Sequence, residues 1–258
     1  ETIDEFDKPI EVSFDVSDID LSGFSEDELN NLTVYLYDPE TVTWKPVGGK
    51  YDPILGKITV PRHHFSIYTV MISKASFEDM EGHWGKIYAN TLLRKGFVDK
   101  SQEFSPEDSI ERDKFIGWIV KVLGLNTDKD YIMPFKDVDK DNPYYNEIAA
   151  AYHNGIINGK SSTLFCPEDL ITRQEMAKVI HKALAIKGIA ASQEEDIPEY
   201  IGKKFNDSEN ISEWALKAVV VSVEKGIICG YENNTFRPDN FMTNAEAGAV
   251  AYRLFTLE

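Results

Sequence analysis

Up to about residue 74, apolar and polar positions alternate in short runs: "IEVSFDV", "LTVYLYD", "VTWKPVGG", "GKITVPR" and "FSIYTVMIS". A period of two, in segments rich in valine, isoleucine, threonine and aromatics and broken by Asp-Pro and Gly-Gly, predicts antiparallel strands of a small, sandwich-like β domain. From residue 75 the pattern changes to a helical period. Trp84, Ile87, Tyr88, Thr91 and Leu92 make one stripe, ended by Gly96 where a left-handed helix stop favours glycine. A second stripe follows a Phe-x-Pro loop: Phe115, Trp118, Ile119, Val122 and Leu123.

This unit recurs. Self-comparison aligns segments opening on Phe77/Asp79, Phe135/Asp137 and Phe205/Asp207, passing through Gly96, Gly155 and Gly226, and reaching Phe104-x-Pro106, Phe165-x-Pro167 and Phe236-x-Pro238. The later second stripes are Met176, Val179, Ile180, Ala183 and Leu184, then Ala247, Val250, Ala251, Leu254 and Phe255. One helix pair cannot bury its own apolar face, so three should pack together. The expected organisation is a β domain over 1–74 and repeats over 75–127, 128–190 and 191–258. The fold class is therefore multidomain, all-β and then dominated by helices.

The helix starts carry candidate chemistry. In "ITRQE", Thr172 and Glu175 have the spacing of a capping box, which makes Arg173 the first helical residue. A cation at that end meets the positive end of the helix dipole, which is mildly unfavourable unless it has another task, such as meeting an anion. "IERDKF" places Arg112 at the same point, with Glu111 and Lys114 in place of the threonine and glutamate. "MTNAEA" keeps Thr243 and Glu246 but puts Asn244 in the arginine slot.

Composition narrows the function. Lys and Arg number 27 against 44 Asp and Glu, a formal charge of −17, which argues against a general polyanion binder such as a DNA-coating protein. The first fifty residues hold thirteen of the acids and three lysines, so net −10 lies there. No apolar run is long enough to span a bilayer, and no leader with a basic start and apolar centre is visible; the chain reads as a mature protein or as an excised piece of a longer one. Cys166 and Cys229 lack metal-ligand spacing, and their separation leaves a disulfide unread. His63 and His64 have no third ligand in register and read as loop or strand histidines.

"GIINGKSSTLFCPEDLITRQEMAKVI" and "GIICGYENNTFRPDNFMTNAEAGAVAYRL" resemble S-layer homology domains, and the likeness extends over residues 76 to 258. The resemblance implies three repeats in a pseudo-threefold assembly around a central helical bundle. It also implies non-covalent attachment of a secreted surface protein to the bacterial cell wall, through a secondary cell-wall polymer held in grooves between repeats. That polymer is commonly a glycan bearing a pyruvate ketal, whose carboxylate a guanidinium can meet bidentately. Carried over residue by residue, the ligand set is Arg112, Arg173, Thr172, Glu175 and Asn244, with Gly159 and Gly230 on the bordering turns and Trp84 and Trp214 as aromatics near the grooves. The two glycines equally suit turn geometry alone, and the tryptophans read as packing before sugar platform. Free N–H groups of the first helical turn would add to the anion site. The resemblance implies no cofactor, no metal, no nucleic acid and no membrane insertion, and leaves self-assembly through the parent protein open. The preceding β segment is similar to β domains of surface proteins and is expected to be dispensable for wall binding.

Two other classes compete. A glycoside hydrolase needs two carboxylates facing each other across a sugar, with one pKa raised; the acids singled out by motif sit instead at caps and repeat starts. A calcium site is suggested by Asp137, Asp139 and Asp141 in "DVDKDNPYYNEI", but Asn142 occupies the glycine position and Ile148 the position of the bidentate acid. The chain therefore reads as a non-enzymatic anchoring module.

Overall fold

The computed structural model describes residues 5–100, 103–189 and 197–257; the expected boundary at 190/191 falls outside them. The chain divides into two compact units, Glu1–Ser105 with Gly124–Asn126, and Pro106–Leu123 with Thr127–Glu258.

In the first unit the strands are β1 (Glu5–Asp15), β2 (Leu32–Asp38), β3 (Thr43–Pro46), β4 (Lys50–Asp52), β5 (Lys57–His64) and β6 (Tyr68–Ile72). They form two antiparallel three-stranded sheets, β1-β5-β4 and β3-β2-β6. Leu32 and Val34 from one sheet and Ile58 and Val60 from the other share a single buried core, so the alternating residues find the inward face that their period requires. Two elements escaped the pattern. Strand β4 is three residues long, and helix α1 (Glu26–Asn30) is one capped turn, with Ser25 and Glu28 completing a capping box.

The same unit contains α2 (Lys86–Arg94), closed by Gly96 at φ +76° with Gly96 N–H donating to Leu93 O and Phe97 N–H to Leu92 O. Its buried side is Ala89, Asn90, Leu92 and Leu93. This corrects the expected stripe: Trp84 is 58% and Ile87 66% exposed, and the helix buries a neighbouring face instead. Lys95, 2% exposed, sends its amine to Leu32 O (2.5 Å) and Gly49 O (2.8 Å). A Cβ on Gly96 would lie 2.3 Å from Pro46 O. Excision at residue 76 would therefore remove the two carbonyls that hold Lys95 and the Pro46 that lies against Gly96.

Burial lowers the Lys95 pKa to about 7, since its two carbonyl partners do not restore the solvation of a full charge. The sign follows directly. Between pH 7 and about 10.5 the unfolded lysine binds a proton that the folded one does not, so the first unit should become more stable as pH rises through that window, by a few kcal/mol at most. Chemical denaturation at pH 7 and pH 9.5 checks this; Lys95→Met should flatten the dependence.

Past residue 74 the described regular elements are helical: α2, α3 (Arg112–Leu123), α4 (Tyr145–His153), α5 (Arg173–Ile186), α6 (Ile197–Lys204), α7 (Glu213–Glu224) and α8 (Asn244–Thr256). In the second unit α3 packs against α4, α5 and α8, and α5 against α7. Phe115, Trp118, Ile119, Met176, Ile180, Leu184, Ala247, Val250 and Leu254 are buried as their periodicity predicts.

Candidate functional site

One device recurs at three loops and is built from the motifs that recur in the sequence. The middle residue of each Phe-x-Pro, Ser105, Cys166 and Arg237, has φ between +54° and +59°, a left-handed conformation that costs a residue bearing a Cβ about 1 kcal/mol or more. The aspartate of each leading Phe-x-Asp holds it there. Asp79 accepts from Ser105 N–H (2.7 Å), Asp137 from Phe165 and Cys166 N–H (2.9 and 2.7 Å), and Asp207 from Phe236 and Arg237 N–H (2.7 Å each). Burial opposes the charge on Asp137, but the backbone N–H donors prevail and hold its carboxyl below the usual range. The leading phenylalanine tilts against the loop phenylalanine, with centroids 5.3 to 5.6 Å apart for Phe77–Phe104, Phe135–Phe165 and Phe205–Phe236. Asp137 is thereby engaged with backbone amides of the loop, which explains it without an ion.

The helix starts of the second unit interlock through short bridges. Glu111 pairs with Leu170, Thr172 with Phe241 and Thr243 with Ser109, so the residue before each helix lies beside the segment leading into another, and the three bridges close a ring. The capping boxes Thr172/Glu175 and Thr243/Glu246 form in full.

The first-turn amides are not free. Arg112 N–H donates to Asp169 O and Asp113 N–H to Pro167 O; Arg173 N–H donates to Asn240 O and Gln174 N–H to Pro238 O; Asn244 N–H donates to Asp108 O and Ala245 N–H to Pro106 O. The caps consume the next donors, since Glu175 N–H goes to Thr172 Oγ1 and Glu246 N–H to Thr243 Oγ1. This overturns the expectation that helix N-termini contribute amides to an anion site: interlocking the loops satisfies them with carbonyls, as a buried helix end requires.

Arg173 answers to the same logic. It is 3% exposed, donating Nε to Phe236 O (2.6 Å) and Nη2 to Cys229 O (2.7 Å), with Nη1 3.2 Å from Met242 Sδ and 3.9 Å from Glu246 Oε1. Its guanidinium lies over the rings of Tyr231 (4.5 Å) and Phe236 (4.9 Å), and Tyr231 Oη donates to Glu246 Oε1 at 2.8 Å. Burial lowers the arginine's pKa and raises the phenol's, while Tyr231 and Glu246 favour the guanidinium charge. Arg112 repeats the arrangement more loosely: Nε to Phe165 O at 3.2 Å, guanidinium 5.0 Å over Phe165, Nη1 3.6 Å from Glu175 Oε1. Each arginine thus reaches the capping glutamate of a later helix.

Asn244 is buried at the corresponding position of α8. Gly159 and Gly230 sit where the leading phenylalanine rings press on the turn: a Cβ would fall 2.5 Å from Phe135 Cε1 and 2.3 Å from Phe205 Cε1 respectively. Trp84 and Trp214 are not packed inward as expected. Trp214 is 50% exposed, with Lys178 Nζ 5.1 Å above its ring, and Trp84 lies beside His83 and Tyr88. Tyr144, in the corresponding place, does pack, covering Gly117, where a Cβ would come within 2.2 Å of its ring. His63 Nδ1 and Nε2 lie 3.2 Å from Phe6 O and Gly124 O, and both cysteines are free thiols.

Sequence reasoning missed Tyr231 and Arg237. The Arg237 guanidinium lies 4.1 Å over the same Tyr231 ring that Arg173 faces. Only the recurrence of Phe-x-Pro marked that position in the sequence, and the x residue differs at each occurrence.

A family model described as the S-layer homology domain matches residues 134–177 and 204–247. Those two stretches are S-layer homology domains. Among relatives, a protein named amylopullulanase from Thermoanaerobacterium thermosulfurigenes is 32% identical over 96% of this chain and 13% of its own length. A surface-layer 125 kDa protein from Lysinibacillus sphaericus is 34% identical over 61% of this chain and 12% of its own. An S-layer protein from Bacillus thuringiensis subsp. finitimus is 28% identical over 75% and 23%. The chain spans less than a quarter of the length of each. The two S-layer homology domains take in the Arg173 helix start and its Tyr231–Glu246 surroundings, so the buried arginine lies where the two domains interlock.

Proposed function

We propose that this chain anchors a surface protein non-covalently to the bacterial cell wall by binding a secondary cell-wall polymer, without catalysis. The observation that carries the reading is the pair of S-layer homology domains joined through Arg173, together with relatives named as surface-layer proteins. The family resemblance extends this to three repeats, 75–127, 128–190 and 191–258, in a pseudo-threefold arrangement. It is supported by the triple Phe-x-Asp device and by the closed set of bridges at the helix starts. The grooves would run beside Arg112 and Arg173, with Trp84 and Trp214 as exposed aromatic faces for sugar rings. Thr172, Glu175, Gly159 and Gly230 would shape those grooves, and Asn244 would leave the third without a fixed arginine. The ligand would be a pyruvylated glycan, and the location the outer wall of an exporting cell.

Sedimentation with purified cell walls tests the reading. The chain should co-sediment with intact walls, and binding should fall at least tenfold once the secondary polymer is stripped from peptidoglycan. Unchanged binding to stripped walls, or release of reducing sugar, would refute it. Among the described residues no helix is long and apolar enough to cross a membrane, so the proposal needs only the wall as support.

A further inference from the structure

The β2–β3 hairpin is built on the same turn as the β4–β5 hairpin, yet one residue in it is out of place. Both open on Asp-Pro: Asp38 Oδ1 accepts from Glu40 and Thr41 N–H (2.9 and 3.4 Å), and Asp52 Oδ1 from Ile54 and Leu55 N–H (2.8 and 3.0 Å). The position that closes each turn is left-handed. Gly56 fills it at φ +61° in one hairpin and Val42 at φ +56° in the other. Glycine adopts that conformation freely, whereas a β-branched residue there is a strained outlier. Packing does not repay the strain, because Val42 is 71% exposed. A residue kept against its backbone preference with so little of it covered marks a surface that meets something outside the chain.

Val42 stands at the end of an apolar row on the outer face of the sheet β3-β2-β6. Leu32, Val34, Tyr68, Val70 and Ile72 turn inward to the core, so the alternate positions Tyr35, Tyr37, Trp44, Thr69 and Met71 turn outward. Trp44 pairs with Tyr37 across the strands, their centroids 5.2 Å apart and their planes at 57°. On the other side Tyr37 N–H donates to Ile67 O at 2.9 Å, which sets Ile67 opposite Tyr37. Trp44 is 41% and Ile67 63% exposed. Strands stand about 4.8 Å apart, so the row Trp44–Tyr37–Ile67 is roughly 10 Å long, the reach of two linked sugar rings. No outward position of this sheet carries a charge, although the first fifty residues hold net −10. Asp38 and Lys45, the charged residues of β2 and β3, have the other parity and pair with each other at 2.5 Å.

The exposed parts of Val42, Trp44 and Ile67 together amount to less than two whole residues, far under the ~800 Å² that each partner of a standard protein interface buries. The lack of charge leaves nothing to hold an ionic polymer. A pyranose chain suits both limits: it is uncharged, its C–H faces stack on aromatic rings, and the hydroxyls of Tyr35 and Tyr37 can bond those of a sugar. We propose that the outer face of sheet β3-β2-β6, from Val42 through Trp44 and Tyr37 to Ile67, binds an uncharged polysaccharide. The surface belongs to the first unit, so the proposal goes beyond wall anchoring by the S-layer homology domains and does not depend on it.

Calorimetric titration of the whole chain with three uncharged probes, cellohexaose, xylohexaose and maltohexaose, tests the proposal. At least one should bind, and Trp44→Ala should weaken it about tenfold or more. Val42→Gly should weaken it several-fold while leaving the unfolding temperature equal to or above that of the wild type, because it removes contact and strain together. A merely structural valine would not move affinity and stability in opposite directions. No binding of any probe, or binding untouched by both substitutions, would overturn the proposal. So would tighter binding of oligogalacturonate than of the neutral probes, which would mark a charge-reading site. A concentration-dependent mass in analytical ultracentrifugation that Trp44→Ala abolishes would make a second copy of the chain the occupant, and would overturn it equally.

Discussion

Arg173→Ala is expected to lower the unfolding temperature of the helical unit by about 10 °C, with any loss of wall binding following from that disruption. The guanidinium donates to Phe236 O and Cys229 O and lies against the Tyr231 and Phe236 rings. Truncation leaves these carbonyls and the Glu246 carboxylate, whose pairing partner sat 3.9 Å away, without the buried cation that was built around them. Removing one partner from such a buried charged network costs about 3–5 kcal/mol, and each kcal/mol moves a transition of this size by roughly 2–4 °C. Arg173→Lys should recover only part of the loss, because one ammonium cannot span both carbonyls and cover two rings. Differential scanning calorimetry checks the order wild type, lysine, alanine. A stable alanine variant that merely loses ligand would show that Arg173 is a contact residue after all. Asn244→Ala removes a buried side chain and should show its effect in stability first.

Gly159→Ala should be comparably damaging. Gly159 has φ +75°, and an added methyl would stand 2.5 Å from Phe135 Cε1, 2.6 Å from Leu164 O and 2.7 Å from Ser161 O. Two of those three obstacles are backbone and cannot swing aside, so the turn must open, displacing the Phe135–Phe165 contact and the loop that Asp137 holds. Strain at positive φ together with overpacking places the cost at about 2–4 kcal/mol. Gly155→Ala is the control: it also has positive φ (+69°) but nothing lies within 4 Å of its Cβ, so only the conformational cost of about 1 kcal/mol applies. Equal effects from the two would mean that steric contact at the turn contributes nothing.

Several features were legible in the chain itself. Period-two alternation placed strands at 32–38 and 57–64, because a half-buried sheet writes its two faces into consecutive residues. Thr-x-x-Glu spacing placed the starts of α5 and α8 and put arginine and asparagine at their first positions, because capping is satisfied within four residues. Recurring Phe-x-Asp and Phe-x-Pro announced a repeated device, though not what it did. That required the fold, since Asp207 and Arg237 meet across thirty residues. The same separation hid the role of Arg173. Locally it is a cation misplaced at the positive end of a helix. Only tertiary packing, which brings Phe236 O, Cys229 O and two aromatic rings around it, turns that local misfit into a clamp between two S-layer homology domains. Helical spacing likewise named the apolar stripe of α2 but not the side it would face, because two overlapping stripes fit one period. Tertiary packing, which buries Leu92 and Leu93 and ties the amine of Lys95 to Leu32 O and Gly49 O, chose between them and left Trp84 in solvent.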